Sequence, residues 1–183
     1  SRVAGSLCAV VLLFSGACSG SDRAGSPSPT PPGPAPVTAQ DLCDASPEPV
    51  GAVSATGLVE TSGLAASRRH ATAVWAHNDS GGAPELYLLG ADGADLGVVA
   101  VDDAEAHDWE DIALGAGPGG TDHLFIADIG DNSTTPLRLD TPIRITRIPE
   151  PEIPLPGGVG RSEPAEAIFI AYDDGPRDAE TLL

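Results

Sequence analysis

The sequence predicts an all-β fold, and three observations carry that prediction. From Val50 onward the apolar residues come in short runs separated by Gly, Asp, Asn and Pro. The runs are rich in Val, Ile, Leu and aromatic residues, which pack well on a pleated, half-buried surface. No window carries apolar residues at the three-to-four-residue spacing of an amphipathic helix.

The chain begins with a segment of a different kind. LCAVVLLFSGAC (7–18) is apolar, follows Arg2 and ends in small residues. It is shorter than the roughly 20 residues of a membrane span and has the length of a signal-peptide core. Its end, Ser15-Gly16-Ala17-Cys18, resembles a bacterial lipobox, with Ser15 standing where that motif usually carries Leu. Residues 1–18 are therefore expected to be a leader, with Cys18 as the lipidation site and the membrane as partner through that anchor. Cleavage without lipidation, giving a secreted protein, is the alternative. Residues 19–45, rich in Ser, Pro and Gly, cannot bury enough surface to fold and read as a disordered tether. Residues 46–183 are the expected folded domain. Cys43 is either a free thiol or half of a disulfide, and the chain holds no CxxC or Cys/His zinc spacing. The absence of Met and the stop at AETLL, inside an expected strand, point to a piece of a longer protein.

Within the domain the expected strands are TAVWAH (72–77), ELYLLG (85–90), DLGVVAV (95–101), DIALG (111–115), HLFIADI (123–129), IRITRI (143–148) and EAIFIAY (166–172). Turn signals such as ADG (91–93) and GPGG (117–120) separate several of them, as in antiparallel hairpins. IRITRI alternates, which sets Ile143 and Ile145 inward and Arg144 outward.

The strands also repeat. VWAHNDSGG (74–82) lines up with FIADIGDN (125–132), and each is followed by two further apolar strands and an acidic loop. That loop leads to a short strand opening on Glu110 or Glu180, and ETSGLA at Glu60 takes the same place upstream. The intervals are about 50 and 70 residues, the second lengthened by the Pro-rich IPEPEIPLPGG. Four strands per unit at this period read as blades of a β-propeller, of which about two and a half are present. A β-sandwich is the competing reading.

In a propeller the first strand of each blade lines the central channel, so Glu60, Glu110 and Glu180 are expected around one axis. Three converging carboxylates repel one another unless a hard cation sits among them. Ca²⁺ takes six to eight oxygen ligands and is the expected cofactor. Asp79, Asp128, Asp131 and Asn132 end the second strands of two units and are candidates for further oxygens. Asp and Asn before Gly also serve as ordinary turn residues, and no DxDxDG calcium loop is present. Asp103 and Glu105 read as loop residues, and Asp108 fits either role. His77 and His107 are the candidate general bases, with His77 the weak catalytic candidate, and Trp109 is expected to pack between blades.

The net charge of −18, from 27 acids against 9 bases that are all Arg, excludes nucleic acid as a partner. The ordered set ETSGLAAS, WAHNDSGG, DWEDIALG, IADIGDN and YDDGPRDAETLL, over residues 58–183, resembles a largely uncharacterised group of exported bacterial β-propeller proteins. That group is associated with phytase-like and esterase-like propellers. The resemblance implies the fold, export and calcium, but not phytase activity. Phytase propellers hold their anionic substrate with Lys and Arg as well as Ca²⁺; this chain has no Lys, and Arg68, Arg69 and Arg177 are candidates for that task that nothing in the sequence places at the mouth. Two functions follow as expectations. One is a cation-binding surface module that takes an unknown ligand or protein at the propeller mouth. The other is a Ca²⁺-dependent hydrolase of phosphate or carboxylic esters.

Overall fold

The computed structural model describes residues 38, 46, 48–131, 142–153, 157–175 and 177–182. Cys18, Cys43, Asn132 and the leader lie outside the described residues, as does the tether apart from Thr38. Val50–Leu183 forms one compact unit, starting four residues later than the boundary the composition suggests.

The described residues are all-β, with one short 3₁₀ turn at Pro118–Gly120. Nine strands follow in order: β1 (Thr61–Ala66), β2 (Ala73–Asn78), β3 (Glu85–Gly90), β4 (Asp95–Ala100), β5 (Trp109–Ala116), β6 (Asp122–Asp128), β7 (Ile143–Pro149), β8 (Gly158–Arg161) and β9 (Glu166–Ile170). They make two sheets, ordered β1-β2-β3-β4-β8 and β5-β6-β7-β9. Every pairing is antiparallel except that of β4 with β8, which is parallel. The Pro-rich stretch after β7 therefore does more than lengthen a loop. It returns the chain to the first sheet, where Gly157 N–H donates to Leu96 O at 2.7 Å and β8 runs along β4. Arg161 Nε then donates to Asp102 Oδ2 at 3.0 Å.

Apolar runs without strict alternation arise because both faces of each sheet are covered. In β3, Leu86 and Leu88 enter the core between the sheets, while Tyr87 and Leu89 face Ala55 and Leu58 of the preceding segment. In β6, Leu124 and Ile126 join the shared core, while Ala127 packs with Ile129, Ile143 and Ile145 on the far side. Ile143 and Ile145 are buried as IRITRI suggests, and so are Thr146 and Ile148 on the opposite face. Trp75 and Trp109, both sealed from solvent, meet in the shared core. Each fully buried aliphatic or aromatic side chain there is worth about 1.5–3 kcal/mol.

The leading strands β1 and β5 lie side by side, with Ser62 Oγ donating to Glu110 O at 2.7 Å. Gly63 permits this approach, since a Cβ there would stand 2.6 Å from Ile112 N. Both strands carry a register shift near their starts, between Thr61 and Leu64 and between Trp109 and Asp111. Such bulges re-aim one side chain without ending the strand.

At the other end of the molecule Glu150 ties the sheets together. Its Oε1 accepts hydrogen bonds from Ser67 Oγ at 2.5 Å, Arg68 N at 3.1 Å and Trp75 Nε1 at 3.1 Å, and its Oε2 from Arg69 N at 3.2 Å. The residue is only 3% exposed. Glu150→Ala would strand those donors and is expected to cost about 3 kcal/mol, against less for Glu150→Gln, which keeps an acceptor in place. Urea midpoints of the two variants check the order.

Candidate metal centre

The site is built around Glu110, the second residue of β5. Asp108 precedes the strand by one residue, and the register shift turns Glu110 inward until it is 4% exposed. Gly130 makes room for both carboxylates: a Cβ there would collide with Glu110 Oε1 and lie 2.6 Å from Asp108 Oδ2. Asp79 arrives from the first sheet, directly after β2, where its N–H donates to Glu60 O at 2.8 Å. Asp178 and Glu180 come from the C-terminal segment.

These acids form two overlapping groups. Asp79, Asp108 and Glu110 each offer an oxygen within 4.8 Å of the others, and so do Glu110, Asp178 and Glu180. Glu110 is common to both. Its carboxyl is pushed up to about 8 from an ordinary 4.5, first by burial, then by a hydrogen bond with Glu180 and the charges of Asp79, Glu180 and Asp108. Its Oε1 is buried with no hydrogen-bond partner among the described residues.

The sequence-predicted residues separate here. Asp79, Glu110 and Glu180 come together. Glu60 does not join them: it is exposed, and its backbone N–H donates to Asn78 Oδ1 at 3.0 Å. The register explains why. Leu64 pairs with Ala76 as Asp111 pairs with Ala127, so the residue in Glu110's place in the first sheet is Gly63. Asp128 also stands outside both groups. It is fully buried, and its Oδ1 accepts from Asp108 N at 3.1 Å while Oδ2 accepts from His107 N at 3.4 Å. It thus holds the turn that presents Asp108. Asp131 touches the site through its backbone, donating to Asp178 Oδ1 at 2.7 Å. Asn132 lies outside the described residues. Asp108 and Asp178 are the members that sequence reasoning did not assign. The signal for both was the D-x-E spacing of DWE (108–110) and DAE (178–180), since residues two apart share a face of an extended chain.

The two histidines differ sharply. His77 is fully buried, edge-on to Trp109 with ring centroids 5.6 Å apart. Its Nδ1 lies 2.8 Å from Asn78 O, which fixes the tautomer as the Nδ1–H donor because a carbonyl only accepts. Burial pulls its pKa below the ordinary value, so the ring is neutral. The ring is 0% exposed and packs against Trp109. His107 is about half exposed, and its Nδ1 lies 3.2 Å from the buried Asp128 Oδ2. Trp109 packs in the shared core as expected. Arg68 pairs with Asp122, Arg69 with Glu152 and Arg177 with Asp174.

A scan against protein-family models and searches of curated proteins and of solved structures found no match to this chain.

The raised pKa of Glu110 has a defined sign. The folded protein holds this proton more tightly than the unfolded chain, so the group's contribution to stability is intact below pH 4.5 and is lost as pH rises to about 8. In chelator, Glu110→Gln is expected to melt close to wild type at pH 4.5 and about 3–6 °C higher at pH 8.5. Thermal melts across that range check it.

Proposed function

We propose that the chain is part of an exported, lipid-anchored β-propeller protein that binds a divalent, oxygen-seeking cation at Glu110. Ca²⁺ is the cation of choice, and the rim around the site is the surface for a ligand or partner. The observation that carries this reading is Glu110 itself, a buried carboxyl whose Oε1 has no hydrogen-bond partner among the described residues, set among four further acids. A buried charge must be neutralised by a proton or paired with a cation. Carboxylate oxygens from several chain segments are the donor set that a hard, flexible-geometry ion such as Ca²⁺ prefers.

The propeller reading draws on the likeness of the two sheets. Each begins with a bulged strand, the two leading strands are neighbours, and each second strand follows its Ala with a fully buried polar residue, His77 or Asp128. Export and the anchor rest on the leader and Cys18, and the partner at the rim rests on the acidity of the site.

The test is calorimetric titration of the full chain with Ca²⁺. Wild type is expected to bind with a Kd of about 0.1–1 mM, as extracellular calcium modules do. Glu110→Gln is expected to lose at least about tenfold, or 1.4 kcal/mol, and Glu60→Gln to bind like wild type. Silence at millimolar Ca²⁺ overturns the reading.

A second reading is favoured by one arrangement. The exposed His107, oriented by the buried Asp128 and adjacent in sequence to Asp108, has the form of a general base beside a metal site. A hydrolase of phosphate or carboxylic esters would use the cation to polarise substrate and His107 to take a proton from water. Chelator-sensitive turnover in a screen of phosphomonoesters, esters and lactones, reduced about 100-fold in His107→Gln, is what this reading requires.

A further inference from the structure

The two carboxylate groups belong to different parts of the chain, and that division has a mechanical meaning. Asp79, Asp108 and Glu110 sit on the ends of β2 and β5, strands held in their sheets on both sides or packed against a neighbour. Asp178 and Glu180 sit on a segment that belongs to neither sheet. Residues 177–182 are held by hydrogen bonds and apolar contacts rather than by strand pairing. Ala179 N–H donates to Ile129 O at 3.3 Å and Leu182 N–H to Asp111 Oδ2 at 2.9 Å. Asp178 Oδ1 accepts from Asp131 N at 2.7 Å. Ala179 and Leu182 lie partly buried against the cluster of Ala127, Ile129, Ile143 and Ile145. Glu180 also hydrogen-bonds Glu110, and against these contacts stands the repulsion that acts once the clustered carboxylates are ionised together.

We infer that this segment is a clasp whose docking and cation binding are linked. The inference rests on the cation reading above. Glu110 supplies the independent sign of a ligand, being 96% buried with Oε1 turned into the groups and without a hydrogen-bond partner among the described residues. A cation at Glu110 offsets the mutual repulsion of the ionised carboxylates and attracts Asp178 and Glu180 directly, so it holds the clasp down. The reverse follows by necessity: a clasp already docked raises the affinity for the cation by the same factor that the cation raises docking. The segment that follows β9 therefore reports the state of a site whose other members lie on β5 and after β2.

The experiment uses the full chain with Ca²⁺ alone as probe. Amide exchange at Asp131, Ala179 and Leu182 is measured with Ca²⁺ and with chelator, alongside Leu124 and Ile126 of β6 as references. Ca²⁺ is expected to slow exchange at the clasp by about 5–150-fold, the usual span of a coupling between sites, and to leave β6 unchanged. Leu182→Ser removes an apolar contact and no carboxylate, and it is expected to weaken Ca²⁺ binding by a factor in the same span. Ala179→Gly, which loosens the segment without altering charge, is the second variant should Leu182→Ser fail to fold, and it is expected to weaken binding in the same direction. If calorimetry shows Ca²⁺ bound while clasp exchange and the affinity of both variants stay at wild-type values, the clasp is refuted and the cation site stands. If wild type binds no Ca²⁺, the cation reading and the clasp fall together.

Discussion

A carboxylate removed from water must be satisfied, and four are buried among the described residues: Asp108, Glu110, Asp128 and Glu150. Their solutions differ, and the differences sort structure from function. Glu150 is surrounded by donors from the β1–β2 turn and from Trp75, so its charge is spent on joining the sheets. Asp128 spends its oxygens on backbone N–H groups and the ring of His107. Glu110 is not satisfied in this way. Its neighbours are acids, and its pKa is pushed upward. Glu150 and Asp128 are matched by donors of the fold, whereas Glu110 shares a hydrogen bond with Glu180 and keeps Oε1 without a hydrogen-bond partner among the described residues.

The strands were legible because their boundaries are chemical. ELYLLG is fenced by Pro84 and by the Ala91-Asp92-Gly93 turn, and β3 occupies that stretch alone. β8 was not legible. GVGR has two glycines and a valine that ends up 81% exposed, so its extended state comes from the β4 edge and not from its own preferences. Hairpin logic likewise had no way to foresee a parallel pair formed by a returning insertion.

The site was half legible for a related reason. Recurring acids point to Glu110 and Glu180, which the fold brings together, but matching by residue type chose Glu60 where the strand register puts Gly63. A bulge adds a residue to one strand only, which shifts a sequence alignment without leaving a trace in composition. Asp128 stands outside both carboxylate groups, and its motif, Asp before a Gly-rich loop, carries no information on burial. The same holds for His77, whose neutral, enclosed ring is set by Trp109 and the narrow gap at Gly63.

The returning strand β8 also imposes an order on how the chain assembles. Gly97 pairs with Gly158, and all of β5, β6 and β7 lie between them in sequence. As the polypeptide emerges from the ribosome, the first four strands have a long wait with the edge of β4 bare. A bare edge invites pairing with any extended neighbour. Contacts this distant in sequence are slow to close because the loop entropy is spent before they form. The first sheet is therefore completed after most of the second has been made, and the interval in between is when this protein is most open to aggregation.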